Sequence, residues 1–243
     1  MAMEIKPVAL VLADISGYTR FVKEHDVSLL HAEAIITDLL EAVIDGAEFP
    51  LTLAKLEGDA VFLYALTERD AAAAAQDVAR QTLKFFDGFR SKQVELIAKN
   101  PCPCQACTTI ERLRLKAILH SGQAAFKKIR QFEELAGADV ILAHRLLKNS
   151  IASKEYILMT SAFHALSGSL PGQTPEPRTE QAEGLGQVTV QVFYPGGQPV
   201  EAAKIAPAPE AVKQQRGRWL AWHVRLRRWG LKRPAGEFTH LSG

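Results

Sequence analysis

Lys6 to Ala13 (KPVALVLA) is a nearly continuous apolar run that stops at Asp14, and it predicts a buried strand. From Leu29 to Ile44 the residues Leu29, Ala32, Ile36, Leu39, Leu40 and Val43 fall at helical spacing, with Gly46 and Pro50 just beyond. Leu51 to Leu56 and Ala60 to Tyr64 read as two strands joined through Glu57-Gly58-Asp59, where glycine suits a tight hairpin. An Ala-rich helix is predicted from Arg69 to about Ile97, with Phe85, Phe86 and Phe89 facing a core. Leu113 to His120 alternates at its start and predicts a strand ending at Ser121-Gly122. A helix follows at Ala138 to Lys148, then a strand at Tyr156 to Met159 and a short helix from Ser161. Leu170 to Gly186, rich in Pro, Gly and charge, reads as a loop, and Gln187 to Tyr194 as a late strand. The order β-α-α-β-β-α-β-α-β predicts an α+β chain, an α/β sandwich whose helices cover a mostly antiparallel sheet.

Charge divides the chain. Between Ala211 and Arg233 lie eight basic residues and no acidic ones, leaving 21 basic against 27 acidic residues elsewhere, a net of −6. The body is mildly acidic and the tail strongly basic, which predicts a domain at 1–198, an Ala/Pro linker at 199–212 and a tail at 213–243. Trp219, Trp222, Leu226 and Trp229 would form one helical stripe beside Arg218, Arg225, Arg228 and Lys232. Such a basic amphipathic helix suits either an anionic membrane surface or packing on a protein partner. An acidic body with no recognised binding fold argues against nucleic acid. No window reaches the roughly 18 apolar residues of a membrane span. The N-terminus lacks a signal-peptide run, so the expected location is the cytoplasm, with the tail offering attachment to the inner face of the membrane.

The three cysteines, Cys102, Cys104 and Cys107, crowd into the loop 100–109. An odd, tightly spaced set argues against a secreted disulfide framework. It leaves three readings: a Zn²⁺ site, a redox pair or a reduced loop. A tetrahedral zinc needs a fourth ligand, and His120, His164 or a partner subunit are the candidates.

Three segments carry candidate chemistry. Asp14, at a strand end, can hold a hard cation, and the amides of Ile15, Ser16, Gly17, Tyr18 and Thr19 at the following helix start can face phosphate oxygens. Asp before a helix is otherwise a plain N-cap. Lys55-Leu56-Glu57-Gly58-Asp59 brings a second aspartate to a neighbouring strand end, and paired carboxylates can bind two metal ions. Phe132 to Asn149 places His144 and Arg145 on a helix whose Val140, Leu142, Ala143, Leu146 and Leu147 face the core.

Taken in register, these segments resemble the class III adenylate/guanylate cyclase family over residues 6–195. Asp14-Ile15-Ser16-Gly17-Tyr18-Thr19 matches the first-strand motif and Lys55 to Asp59 the Lys-x-x-Gly-Asp hairpin. His120-Ser121-Gly122 matches a strand ending in His-x-Gly, and Gly137, Val140, Ala143 and Arg145 match the helix motif. The Cys loop and the His144–Asn149 end also resemble an uncharacterised bacterial branch of cyclase-like proteins. The resemblance implies a ferredoxin-like, class III cyclase-type sandwich working as a head-to-tail homodimer on a nucleoside triphosphate. It implies two Mg²⁺ or Mn²⁺ ions on Asp14, Asp59 and the Ile15 carbonyl, adenine read by Lys55 with Glu134, and Arg145 stabilising transition-state charge. The implied reaction makes 3′,5′-cyclic AMP and pyrophosphate from ATP.

One position departs. Four residues before Arg145, where the resemblance implies Asn, stands Ile141. Losing one preorganised donor typically costs about 10²–10³ in rate. The sequence therefore admits a slow cyclase, a cyclase in which Asn149, His144 or another residue is the substitute donor, or a catalytically lapsed nucleotide- or metal-binding regulatory module on the same fold.

Overall fold

The structure, a computed structural model, describes residues 3–23, 29–99 and 102–197. The linker and the Trp-rich tail lie outside the described residues. The chain runs β1 (Glu4–Ser16), α1 (Tyr18–Lys23), α2 (Leu29–Ile44), β2 (Thr52–Glu57), β3 (Ala60–Leu66) and α3 (Ala71–Lys99). It continues through α4 (Gln105–Thr109), a 3₁₀ turn (Ile110–Arg112), β4 (Arg114–Ile129), β5 (Phe132–Ala136) and α5 (Ala138–Arg145). The last described elements are β6 (Tyr156–Thr160), α6 (Ser161–Ser167), β7 (Glu176–Ala182) and β8 (Gly186–Phe193).

The strands form one mixed sheet in the order β2-β3-β1-β4-β6-β8-β7, with β5 paired to the far end of β4. The β4–β6 pair is parallel and the other described pairs are antiparallel. β1 is an interior strand, between β3 and β4, and is buried on both faces. Successive side chains point to opposite faces of a strand, so Ala9, Val11, Ala13 and Ile15 enter one core and Val8, Leu10 and Leu12 the other. The first core is covered by α2, α3 and α6 through Ile36, Leu39, Phe85, Phe86 and Phe163. The second is covered by α5 through Val140 and Ala143. The chain is thus an α+β sandwich with helices on both faces of a mostly antiparallel sheet, as its pattern predicts.

Two stretches differ from expectation. β4 runs on to Ile129 and pairs with β5, so the expected strand end at His120-Ser121-Gly122 is a mid-strand position. The expected loop Leu170–Gly186 contains β7, an edge strand paired with β8. Its sequence, EPRTEQA, is polar and carries Pro177, which an edge strand tolerates because one row of its backbone groups needs no partner.

Candidate functional site

Register decides which motif residues meet. Asp14 stands opposite Ala60 of β3 and Lys116 of β4, on the face that carries Leu10 and Leu12. Directly paired residues share a face, so Lys116 reaches Asp14 and their charged atoms lie 3.0 Å apart, both largely shielded from solvent. Lys116 also donates to the Leu147 carbonyl at 3.2 Å. The β2–β3 turn delivers Asp59 beside them: its carbonyl accepts from the Ile15 N–H at 3.0 Å. Gly58 makes this turn at φ +66°, a conformation L side chains resist. Burial first and then the charge of Asp14 push the Asp59 carboxyl up to about 6, and its own backbone and Lys116 only partly oppose them. The two aspartates of the separate motifs therefore share one electrostatic site.

Tyr18, just past the Gly17 turn, donates its hydroxyl to Glu33 of α2 at 3.0 Å. Burial, then that acceptor, raises the Tyr18 hydroxyl above the ordinary tyrosine range.

The second half of the hairpin motif builds a charge relay along the same face. Lys55 lies 3.0 Å from Glu57 and 3.6 Å from Glu134 of β5, so the lysine and its expected acidic partner are brought together. The Glu57 contact first, then the charge of both glutamates, holds the Lys55 ammonium above its ordinary range. Glu57 also meets His144, whose Nε2 lies 3.0 and 3.2 Å from its two oxygens. The His144 Nδ1–H donates to the Val140 carbonyl at 2.8 Å, and the ring packs edge-on against Phe62. Both ring nitrogens of His144 thus face oxygens of the protein itself.

Arg145 has a partner of its own. It pairs with Glu183 in the β7–β8 turn, with both side chains exposed. Ile141 is 51% exposed, an aliphatic side chain turned to solvent. Asn149 is occupied within the fold: its amide donates to the Leu146 carbonyl at 2.8 Å and the Tyr156 hydroxyl at 2.7 Å, and its oxygen accepts from the Ile151 N–H at 3.0 Å.

His120 and Gly122 seat α5. The Asp139 carboxylate accepts from the Gln123 N–H at 2.6 Å and lies 3.2 Å from His120 Nε2. A Cβ on Gly122 would lie 2.2 Å from that carboxylate, so only glycine leaves it room. His120 Nδ1 is 2.9 Å from the Thr160 hydroxyl, which also caps α6. His120 is thus a buried brace on the α5 face.

The cysteine cluster finds its histidine elsewhere than expected. His31 of α2 lies 3.5 Å from Cys102 Sγ and 3.6 Å from Cys104 Sγ. His120 faces the opposite side of the sheet, and His164 bonds Ser169 at 3.3 Å. The spacing of the cysteines contained no hint of His31, which arrives through the packing of α2 on α4.

A cleft beyond the end of α5 is lined by Lys148, Asn149, Ser150, Thr179, Glu180 and Gln181. Its buried Glu180 accepts from the Ser150 N–H and hydroxyl, both at 2.8 Å, which ties the loop after α5 to β7.

Comparison with known proteins gives a family and a fold. The sequence profile of a family described as "Protein of unknown function (DUF2652)" matches residues 36–156. The "Uncharacterized protein Rv2561/Rv2562" of Mycobacterium tuberculosis is 34% identical over 154 residues, which span 63% of this chain and 70% of that protein. Among solved structures, the adenylyl cyclase CyaB from P. aeruginosa superposes with a TM-score of 0.66 at 15% identity, covering 79% of this chain and 96% of that one. The guanylyl cyclase Cya2 gives 0.62 at 15% identity, covering 83% and 98%. At these identities the likeness establishes a cyclase-domain fold.

Proposed function

The chain belongs to one family with the mycobacterial protein Rv2561/Rv2562, whose name records no activity, and from the site itself we propose a metal-dependent nucleotidyl cyclase that makes cyclic AMP from ATP between two copies of the chain. The observation that carries this reading is the Asp14–Asp59 pair, set at adjacent strand ends on a cyclase-domain fold and short of positive charge. Lys116 offsets one of the two negative charges. A hard divalent cation fits the remaining deficit and the oxygen donor set. Asp14 and Asp59, with the Ile15 carbonyl, would hold Mg²⁺ or Mn²⁺, and a bound metal supplies charge that neutralises a triphosphate.

The chain's own groups then bind and orient. The Ile15–Thr19 turn faces the phosphates. Lys55 donates to the base while Glu134 accepts from it, a polarity that suits adenine. Arg145, exposed at the end of α5, reaches the site of the second copy and stabilises charge developing on the α-phosphoryl group. A bond forms from the ribose 3′-oxygen to the α-phosphorus, the α–β anhydride bond breaks, pyrophosphate leaves, and the hydroxyl proton passes to solvent.

A specific observation favours a second reading. Ile141 offers no donor, and the neighbouring donors Asn149 and His144 are already engaged within the fold. A module that binds nucleotide and metal without turnover matches those facts. Purified protein with Mn²⁺ and ATP or GTP, assayed for cyclic nucleotide beside Asp14→Ala and Asp59→Ala, separates the two. Product that both substitutions abolish supports the cyclase. Metal-dependent nucleotide binding with no product from either nucleotide sinks it in favour of the module.

A further inference from the structure

We propose that Cys102, Cys104, Cys107 and His31 form a structural zinc site that clamps the start of α2 to α4, independent of the nucleotide site. The ligand atoms of the four residues all lie within 4.8 Å of one another. Zn–S bonds of about 2.3 Å and a Zn–N bond of about 2.0–2.1 Å at tetrahedral angles place sulfur and nitrogen about 3.6 Å apart. His31 Nδ1 already stands 3.5 and 3.6 Å from the sulfurs of Cys102 and Cys104. Two pairs of the tetrahedron are thus at coordination spacing in the protein's own packing.

The donor set names the metal class. Three thiolates and one imidazole form the Cys₃His set of structural zinc. Four protein ligands leave no coordination position for water or substrate, so the site is structural and not catalytic. Binding displaces the thiol protons, which pass to buffer, with no change of oxidation state.

Position explains what the metal would do. Cys107 is buried in the same core as Ala32 of α2 and Ala106 and Ile110 beside it, and Cys102 and Cys104 pack against that core. The α4 helix has only five residues and no side-chain cap at its start, so its own hydrogen bonds hold it weakly. A metal bond to His31 fixes it to a helix 71 residues away in sequence from Cys102.

The test uses the full chain purified without chelator. Elemental analysis should find about one zinc per chain, released in step with three thiols as an organomercurial is titrated in. Exchange with Co²⁺ should give the intense visible bands and sulfur-to-metal charge transfer of a tetrahedral thiolate site. His31 is exposed, so His31→Ala should fold while losing at least ~10-fold in zinc affinity. His31→Cys should restore tight binding and a Cys₄ cobalt spectrum. Zinc below about 0.1 per chain, iron in its place, an octahedral cobalt spectrum, or a disulfide among the three cysteines would each overturn the proposal.

Discussion

Asp59 keeps company that makes its charge costly. Its carboxyl is raised from the ordinary 3.8 to about 6, first by burial and then by Asp14. Between these values the folded chain holds a proton that the unfolded chain has lost, so this group's contribution to stability is fully present below 3.8 and is lost as pH rises through 6. Urea unfolding of the metal-free protein from pH 4 to 8 should show this as the difference between wild type and Asp59→Asn, with the variant gaining on wild type up to about pH 6 and then running parallel. Asp14→Asn, which removes the neighbouring charge, should move that window to lower pH. Equal pH profiles for wild type and Asp59→Asn would show that neither burial nor Asp14 raises the Asp59 carboxyl. The Gly122 position makes a second claim at this scale. Gly122→Ala drives a methyl into the Asp139 carboxylate and should destabilise by about 1–3 kcal/mol, as overpacking generally does. Adding Asp139→Gly removes the collision, including that with the Asp139 Cβ at 2.7 Å, so the double variant should lose less than the two single losses together. Simple additivity would show that Asp139 does not occupy that space. Both positions were legible in the sequence because a motif fixes residue type and spacing together. His31 was not, because its link to the cysteines exists only after α2 and α4 pack.

At the scale of elements, burial separates what the pattern could reveal from what it could not. α2 matches its predicted limits of Leu29 and Ile44 because it has one dry face and one wet face. α3 is found for the same reason, with Phe85, Phe86 and Phe89 all buried. Phe85→Ala should therefore cost about 3–5 kcal/mol in chemical denaturation. The β4–β5 hairpin has no such signature. Past Phe126 it leaves the core, Ile129 and Phe132 stand exposed, and no alternation of burial survives to mark it. Phe132→Ala should change the unfolding free energy by no more than about 0.5 kcal/mol. A loss comparable to that at Phe85 would mean that the hairpin folds against something in solution. β7 escaped notice for a related reason: an edge strand buries few side chains, here Glu180 and Ala182, and Glu180 is held by polar bonds to Ser150.

At the scale of the whole molecule, the aspartates and the arginine of the proposed site have different partners within one chain. Asp14 is engaged with Lys116 and adjoins Asp59, whereas Arg145 is engaged with Glu183 at the β7–β8 turn. The proposed cyclase draws the arginine from a second copy, and closed twofold symmetry then makes two equivalent sites per dimer. Asp14→Ala and Arg145→Ala should each abolish cyclase activity alone. In a mixed dimer of the two variants, one site carries both defects and the other carries neither. Equal mixing with free exchange makes half of the dimers mixed, each with one intact site of two, so activity should return to about one quarter of wild type. Cyclic nucleotide assays on the mixture, with sedimentation confirming exchange, check this. No recovery from freely exchanging dimers would place Arg145 in the same site as the Asp14 of its own chain. It would also remove the head-to-tail arrangement, while leaving the metal pair and the zinc clamp to stand or fall on their own measurements.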